Sequence, residues 1–138
     1  MGEQMTIEYY NPSDMWDGLS SGYSLGIKVP APTYFVYLCG QVPLDSDRNV
    51  QGSDIETQAR YAFGNAAKLL EEAGATLDDV VKLTIYVTDI KEHQWPVRRV
   101  RSEFFDEANP PPATMVQVGG LATDGLMIEI DVVAAVHA

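Results

Sequence analysis

The chain has 138 residues, the size of one domain, with nine Lys+Arg against 20 Asp+Glu and a formal charge of −11. A hydrophobic content of 46% is enough for a core and excludes a disordered chain. The charge excludes unaided binding to nucleic acid or anionic membranes, since both need Lys and Arg.

The single cysteine, Cys39, cannot close an internal disulfide. No apolar run approaches the roughly 18 residues of a membrane span. Glu3 and Glu8 break up the start, which has no apolar stretch of the kind a signal peptide needs. A soluble, cytoplasmic protein of one domain over residues 1–138 is expected.

Residues 1–21 read as an irregular N-terminal segment, and Pro, Gly and Ser stay dense from Asn11 to Pro32. One short strand is expected inside that stretch, from Tyr23 to Val29. Tyr34 to Cys39 is rich in β-branched and aromatic residues, which predicts a strand buried on both faces. Asp45 to Asn49 is a polar turn. Ser53 with Glu56 suggests a capping box. An apolar stripe of Ile55, Ala59, Ala62, Ala66, Leu69 and Ala73 then predicts a helix ended by Gly74.

Val81 to Val87 alternates strictly, with Lys82, Thr84 and Tyr86 on the face opposite Val81, Leu83, Ile85 and Val87. Pro96 is placed in the first turn of a second helix, with Val97, Val100 and Phe104 on its buried side and Arg98, Arg99 and Arg101 flanking it. Asn109 to Pro112 stops that helix. Two strands close the chain, Thr114 to Val118 and Leu126 to Val136. The order is β-β-α-β-α-β-β, an α+β domain with helices on one sheet face. The other face needs a second cover, for which another subunit is the natural choice.

Residue types with catalytic potential are few. His93 and His137 have no Cys or His partner at ligand spacing, so no metal site is expected, and His93 reads as solvated at a helix entry. Cys39 reads as a small apolar residue at a strand end, or as a nucleophile if a base stands beside it. Glu129 and Asp131 share a strand face, as an acid/base pair or as solvated groups bridged to Lys82. The three arginines either bind an anion or pair with Glu92, Glu103 or a neighbouring subunit.

Several stretches together resemble the RidA/YjgF/UK114 superfamily. They are Gly22-Tyr23-Ser24, Phe35 to Asp45, Ile55 to Arg60, Leu69 to Ala75, Asp79 to Lys82 and Ile128 to Asp131, in matching order from about Gly22 to the end. The resemblance implies a chorismate-mutase-like (YjgF-like) α+β fold. It also implies a homotrimer with a central barrel and ligand clefts between subunits. Cofactor-free hydrolysis of small enamines and imines follows from it as well. It places the water-holding glutamate at Glu129, a substrate-orienting tyrosine and serine at Tyr23 and Ser24, and Cys39 in the serine slot of the family's Ser-Gly-Gln.

The family's carboxylate-binding arginine has no counterpart. Aligning Val116 to Val118 with the family's Val-x-Val puts Ala113 at that position, and forcing its Pro-Ala onto Pro112-Ala113 puts Thr114 there. Met115 stands where some members carry a cysteine. Loss of a bidentate Arg–carboxylate contact, worth a few kcal/mol, lowers affinity roughly a hundredfold. The chain is therefore expected to act weakly or not at all on 2-aminoacrylate-type imino acids, and to prefer a neutral or cationic ligand. The alternatives are a non-catalytic trimer that binds a small ligand or a protein, and, weakest, an endoribonuclease. The last is disfavoured because a chain at −11 has no evident RNA track.

Overall fold

The fold is that of a computed structural model, which describes residues 6–138. Residues 1–5, with Glu3 and the first part of the segment expected to be irregular, lie outside the described residues. The rest of that segment is not wholly irregular. A strand β1 (Glu8–Tyr10) pairs antiparallel with β2 (Gly26–Lys28), and a 3-10 turn spans Leu19–Ser21. β2 is shorter than the Tyr23–Val29 expected.

The main sheet holds β3 (Tyr34–Tyr37), β4 (Val80–Val87), β5 (Ala113–Gln117) and β6 (Ile128–Val136) in the order β3-β6-β4-β5. β6 lies antiparallel between β3 and β4. β4 and β5 run parallel, which requires a crossover, and α2 (Ile90–Arg101) supplies it. From β2 onward the elements follow the expected order, and the architecture is α+β.

α1 (Ile55–Glu72) begins one residue later than the Ser53–Glu56 box implies. Asp54 is the N-cap, its carboxylate accepting from the Thr57 N–H at 3.0 Å. Gly74 follows the helix at φ +78, the left-handed conformation that glycine adopts without penalty. The buried stripe is Ile55, Gln58, Ala59, Ala62, Phe63, Ala66 and Leu70. Leu69 is exposed, at 41%, and Leu70 takes its place in the core. Ala73 caps the helix in solvent.

α2 starts well before Pro96. Asp89 caps it by accepting from the Glu92 N–H, and Pro96 lies inside the helix. His93 is therefore part-buried rather than solvated, and its Nδ1 has no hydrogen-bond partner. Val97 and Val100 are buried as expected, but Arg101 joins them, at 4% exposure.

Both helices pack on one face of the sheet. Leu83, Ile85, Val87, Ile128, Ile130, Val132 and Ala134 point into that layer and meet Phe63, Leu70, Val97 and Val100. The opposite face carries Phe35 and Tyr37 from β3, Thr84 and Tyr86 from β4, and Glu129, Asp131 and Val133 from β6. Among the described residues no helix packs on it. Within the chain β3 is accordingly not buried on both faces: Phe35 is 48% and Tyr37 73% exposed. Among the described residues no helix is long and apolar enough to cross a membrane.

Candidate functional site

The uncovered sheet face gathers the titratable side chains of β6. Alternation along β6 sends Ile128, Ile130 and Val132 into the core and therefore puts Glu129 and Asp131 on the open side. Register then sets their neighbours. Tyr86 of β4 lies opposite Glu129 and Thr84 opposite Asp131, with Val116 and Thr114 of β5 one strand further. The Tyr86 hydroxyl donates diagonally to the Asp131 carboxylate at 3.1 Å. That bond, then the charges of Asp131 and Glu129, hold the Tyr86 phenol above its ordinary pKa.

A bulge after β3 shapes the fourth side. Leu38 N–H donates to Val132 O, and Gln41 pairs with Ile130 through both its N–H and its C=O, at 2.7 and 2.9 Å. The chain thus spends three residues where β6 spends two, which leaves Cys39 and Gly40 bulged beside Glu129. Gly40 leaves the space that the Glu129 side chain takes up. A Cβ on it would fall 2.0 Å from Glu129 Oε2 and 2.7 Å from its Cδ. The carboxylate of Glu129 therefore lies directly on the Gly40 backbone.

Gln41, 8% exposed, locks the bulge by donating to the Cys39 carbonyl at 2.9 Å and to its Sγ at 3.4 Å. Cys39 itself is exposed, so the reading of a buried apolar residue does not hold in the single chain. Lys82 does not bridge to either carboxylate; it donates to the Thr114 hydroxyl at 2.9 Å. Among the described residues no Lys, Arg or His lies within 4.0 Å of Glu129 or Asp131. No group of three His, Cys, Asp or Glu there is arranged to hold a metal.

The structure brings Glu129, Cys39 and Thr114 to this face. It does not bring the other expected site residues. Ala113 and Met115 alternate with Thr114 and pack partly buried against the core on the helix side. Ser24, expected at a cleft edge, is 1% exposed and donates to the Pro110 carbonyl at 2.6 Å. The Tyr23 hydroxyl accepts from the Trp16 indole at 3.1 Å. Gly40 and Gln41 were visible only as part of a motif. Their role depends on a contact with β6 almost ninety residues away, which local pattern does not reveal. Tyr86 was legible, because strict alternation in Val81 to Val87 already turned it to this face.

A half-buried carboxylate pair with a neighbouring phenol and no cation within 4.0 Å can order water and accept a proton from it. The Endoribonuclease L-PSP family model matches residues 19–136. The chain belongs to this family, also called RidA/YjgF/UK114. It is 41% identical to a RutC family protein of Saccharolobus solfataricus, over 81% of this chain and 85% of the relative. It is 33% identical to the 2-iminobutanoate/2-iminopropanoate deaminase of Salmonella typhimurium, over 72% of this chain and 77% of that one. The crystal structure of the Rid-family protein YyfB from Yersinia pestis superposes with a TM-score of 0.88 at 26% identity, covering 96% of this chain and all of the other. The RidA-like, YjgF-type fold and family membership therefore agree in sequence and in structure.

Proposed function

We propose that this RidA-family protein hydrolyses a small imine or enamine without a cofactor, at the face where the Glu129 carboxylate rests on Gly40. The observation carrying the reading is that placement: a carboxylate with no ion-pair partner among the described residues, lying against the backbone of Gly40 where any Cβ would meet it. Glu129 accepts a proton from a water as its oxygen attacks the imine carbon. That proton passes to nitrogen to give the carbinolamine; Glu129 then relays the carbinolamine hydroxyl proton to nitrogen as the C–N bond breaks and the C=O bond forms, and ammonia and a carbonyl compound leave. Positioning and electrostatics carry such a step.

The substrate is neutral or cationic. Ala113 stands where relatives are expected to carry the arginine that clamps a carboxylate, and Asp131 adds a second negative charge to the face. Hydrolysis of 2-aminoacrylate-type imino acids is correspondingly weak. The working unit is a homotrimer formed over the open face, which the exposed Phe35 and Tyr37 support, since apolar area of this kind is covered in an assembly.

The test is a set of imines generated in situ by amine oxidases and amino-acid oxidases. Neutral imines from amines are expected to decay faster with wild type than with Glu129→Gln. Equal clearance of every imine by the two proteins sinks the reading. A second reading is a non-catalytic trimer that binds a small ligand or protein. It is favoured by one observation, that the hydroxyls of Tyr23 and Ser24 are already engaged within the chain and do not reach the Glu129 face. Melting shifts with a metabolite but no turnover support that second reading.

A further inference from the structure

Away from the open sheet face, a cleft of about 510 Å³ lies between the 3-10 turn at Leu19–Ser21 and the basic end of α2. Three arginines line it, and each is in a different state. Arg99 is neutralised by Glu56 at 2.9 Å. Arg98 stacks its guanidinium over the Trp95 ring, 4.5 Å from the centroid. Arg101 is 4% exposed, and within the chain its guanidinium donates to the Ser21 carbonyl at 2.5 Å.

Among the described residues no carboxylate lies within 4.0 Å of Arg101 or Arg98, so of the alternatives read from sequence the pairing with Glu92 or Glu103 does not form within the chain. Glu103 is bound instead by Arg60. Gly22 makes the space for Arg101. At φ +86 its missing Cβ would lie 2.9 Å from Arg101 Nη2. Burial first, then the charge of Arg98, push the Arg101 guanidinium down to about 10.

Apart from its bond to Ser21 the Arg101 guanidinium has no protein partner; its other donors face the cleft, where an anion can take them up together with the charge. The surroundings say which anion. Asp106 and Glu107 also line the cleft and cancel much of its positive field, so a doubly charged phosphate is disfavoured against a single negative charge. A planar carboxylate matches the guanidinium fork. The exposed Trp95 and the side chain of Leu19 offer an apolar wall beside it.

We propose that this cleft binds a small organic monocarboxylate, its carboxylate on the free donors of Arg101 and Arg98 and its apolar body against Trp95. The site is separate from the Glu129 face, because α2 packs on the opposite side of the sheet.

The test is NMR of the arginine Nε–H and tryptophan indole signals of the full chain, titrated with benzoate, benzyl alcohol and inorganic phosphate. Benzoate is expected to shift the Arg98, Arg101 and Trp95 signals with a Kd on the order of 1 mM. Arg101→Lys, which keeps the charge and loses the fork, and Arg98→Ala, on a part-exposed side chain, each weaken it about tenfold. Benzyl alcohol leaves the signals in place, and Glu129→Gln binds benzoate as wild type does. Unmoved signals with benzoate, binding unchanged in both arginine variants, or phosphate binding as tightly as benzoate overturns the proposal.

Discussion

Replacing Gln58 by leucine removes a polar side chain that ties the start of α1 to the start of β6. Gln58 is 1% exposed. Its Nε2 donates to the carbonyls of Gly52 and Gly125 at 3.1 and 2.9 Å, and its Oε1 accepts from the Met127 N–H at 2.8 Å. Leucine fills a similar volume but leaves two carbonyls and one N–H without partners. Each orphan costs about 1–3 kcal/mol, towards the low end for the two carbonyls, which lie in exposed loops and can recruit water. Added apolar burial returns about 1 kcal/mol. The net loss is about 3 kcal/mol, a fall in Tm on the order of 10 °C for a chain of this size. Urea and thermal unfolding measure it. Because Met127 stands two residues before Glu129, backbone amide shifts from Met127 to Glu129 should move as well. A loss below about 1 kcal/mol with those shifts unmoved would refute the argument that these bonds hold the entry to β6.

Gly40→Ala is expected to change stability by less than about 1 kcal/mol, since the atoms it meets are the flexible end of Glu129 and its backbone is not left-handed. It should still displace the carboxylate and cut any Glu129-dependent turnover about a hundredfold, read from imine decay against wild type. Leu70→Ala is expected to cost about 2–5 kcal/mol in urea melts, whereas Leu69→Ala, one residue away, stays within about 0.5 kcal/mol. The Asp54 carboxyl is held below the usual aspartate range by its hydrogen bonds to Thr57. Its contribution is therefore present above the unfolded pKa and lost as pH falls through the lower folded value, so the Tm gap between wild type and Asp54→Ala should be constant at neutral pH and close below about pH 4. A Phe35→Asp, Tyr37→Asp double variant should sediment as a smaller species than wild type.

The parts of the fold that were legible in the sequence are those with local periodicity. The strict alternation of Val81 to Val87 and the first part of the stripe along α1, Ile55 to Ala66, needed no tertiary information, and both match the structure. The misreadings arose where two local signals competed. At the head of α1 both Ser53 and Asp54 can cap, and the Thr57 N–H chose the carboxylate at Asp54. Near its end, Leu69 and Leu70 both fit an apolar stripe, and the packing of Phe63, Ala66 and Leu70 decided between them. Pro96 was read as a helix start because proline favours a first turn, yet Asp89 caps a helix that already includes it. Site residues failed differently. Ser24 bonds Pro110, Gly40 meets Glu129, and Arg101 meets Ser21, all pairs about eighty residues or more apart in sequence. No window along the chain contains both members of such a pair.

The excess of acid over base is not spread evenly, and its distribution divides the surface into two kinds of site. Lys28, Arg60 and Arg99 are spent on Glu8, Glu103 and Glu56 in exposed pairs, which contribute little to stability. Lys82 is spent on a hydroxyl. Among the described residues the open sheet face is therefore left with Glu129 and Asp131 and no cation within 4.0 Å of them, while Arg98 and Arg101 are left in the α2 cleft with no carboxylate within 4.0 Å. An acidic chain that keeps two guanidiniums unpaired, one of them buried, gives up stability at that point. On the open face the neutral Tyr86 phenol donates to Asp131, and that bond, then the nearby negative charge, holds its pKa above the ordinary value. Two opposite imbalances on opposite sides of one sheet have a common consequence. On the two proposed readings the imine takes the acidic face and the organic carboxylate the α2 cleft, so the ligands differ in charge preference and need not compete for one site.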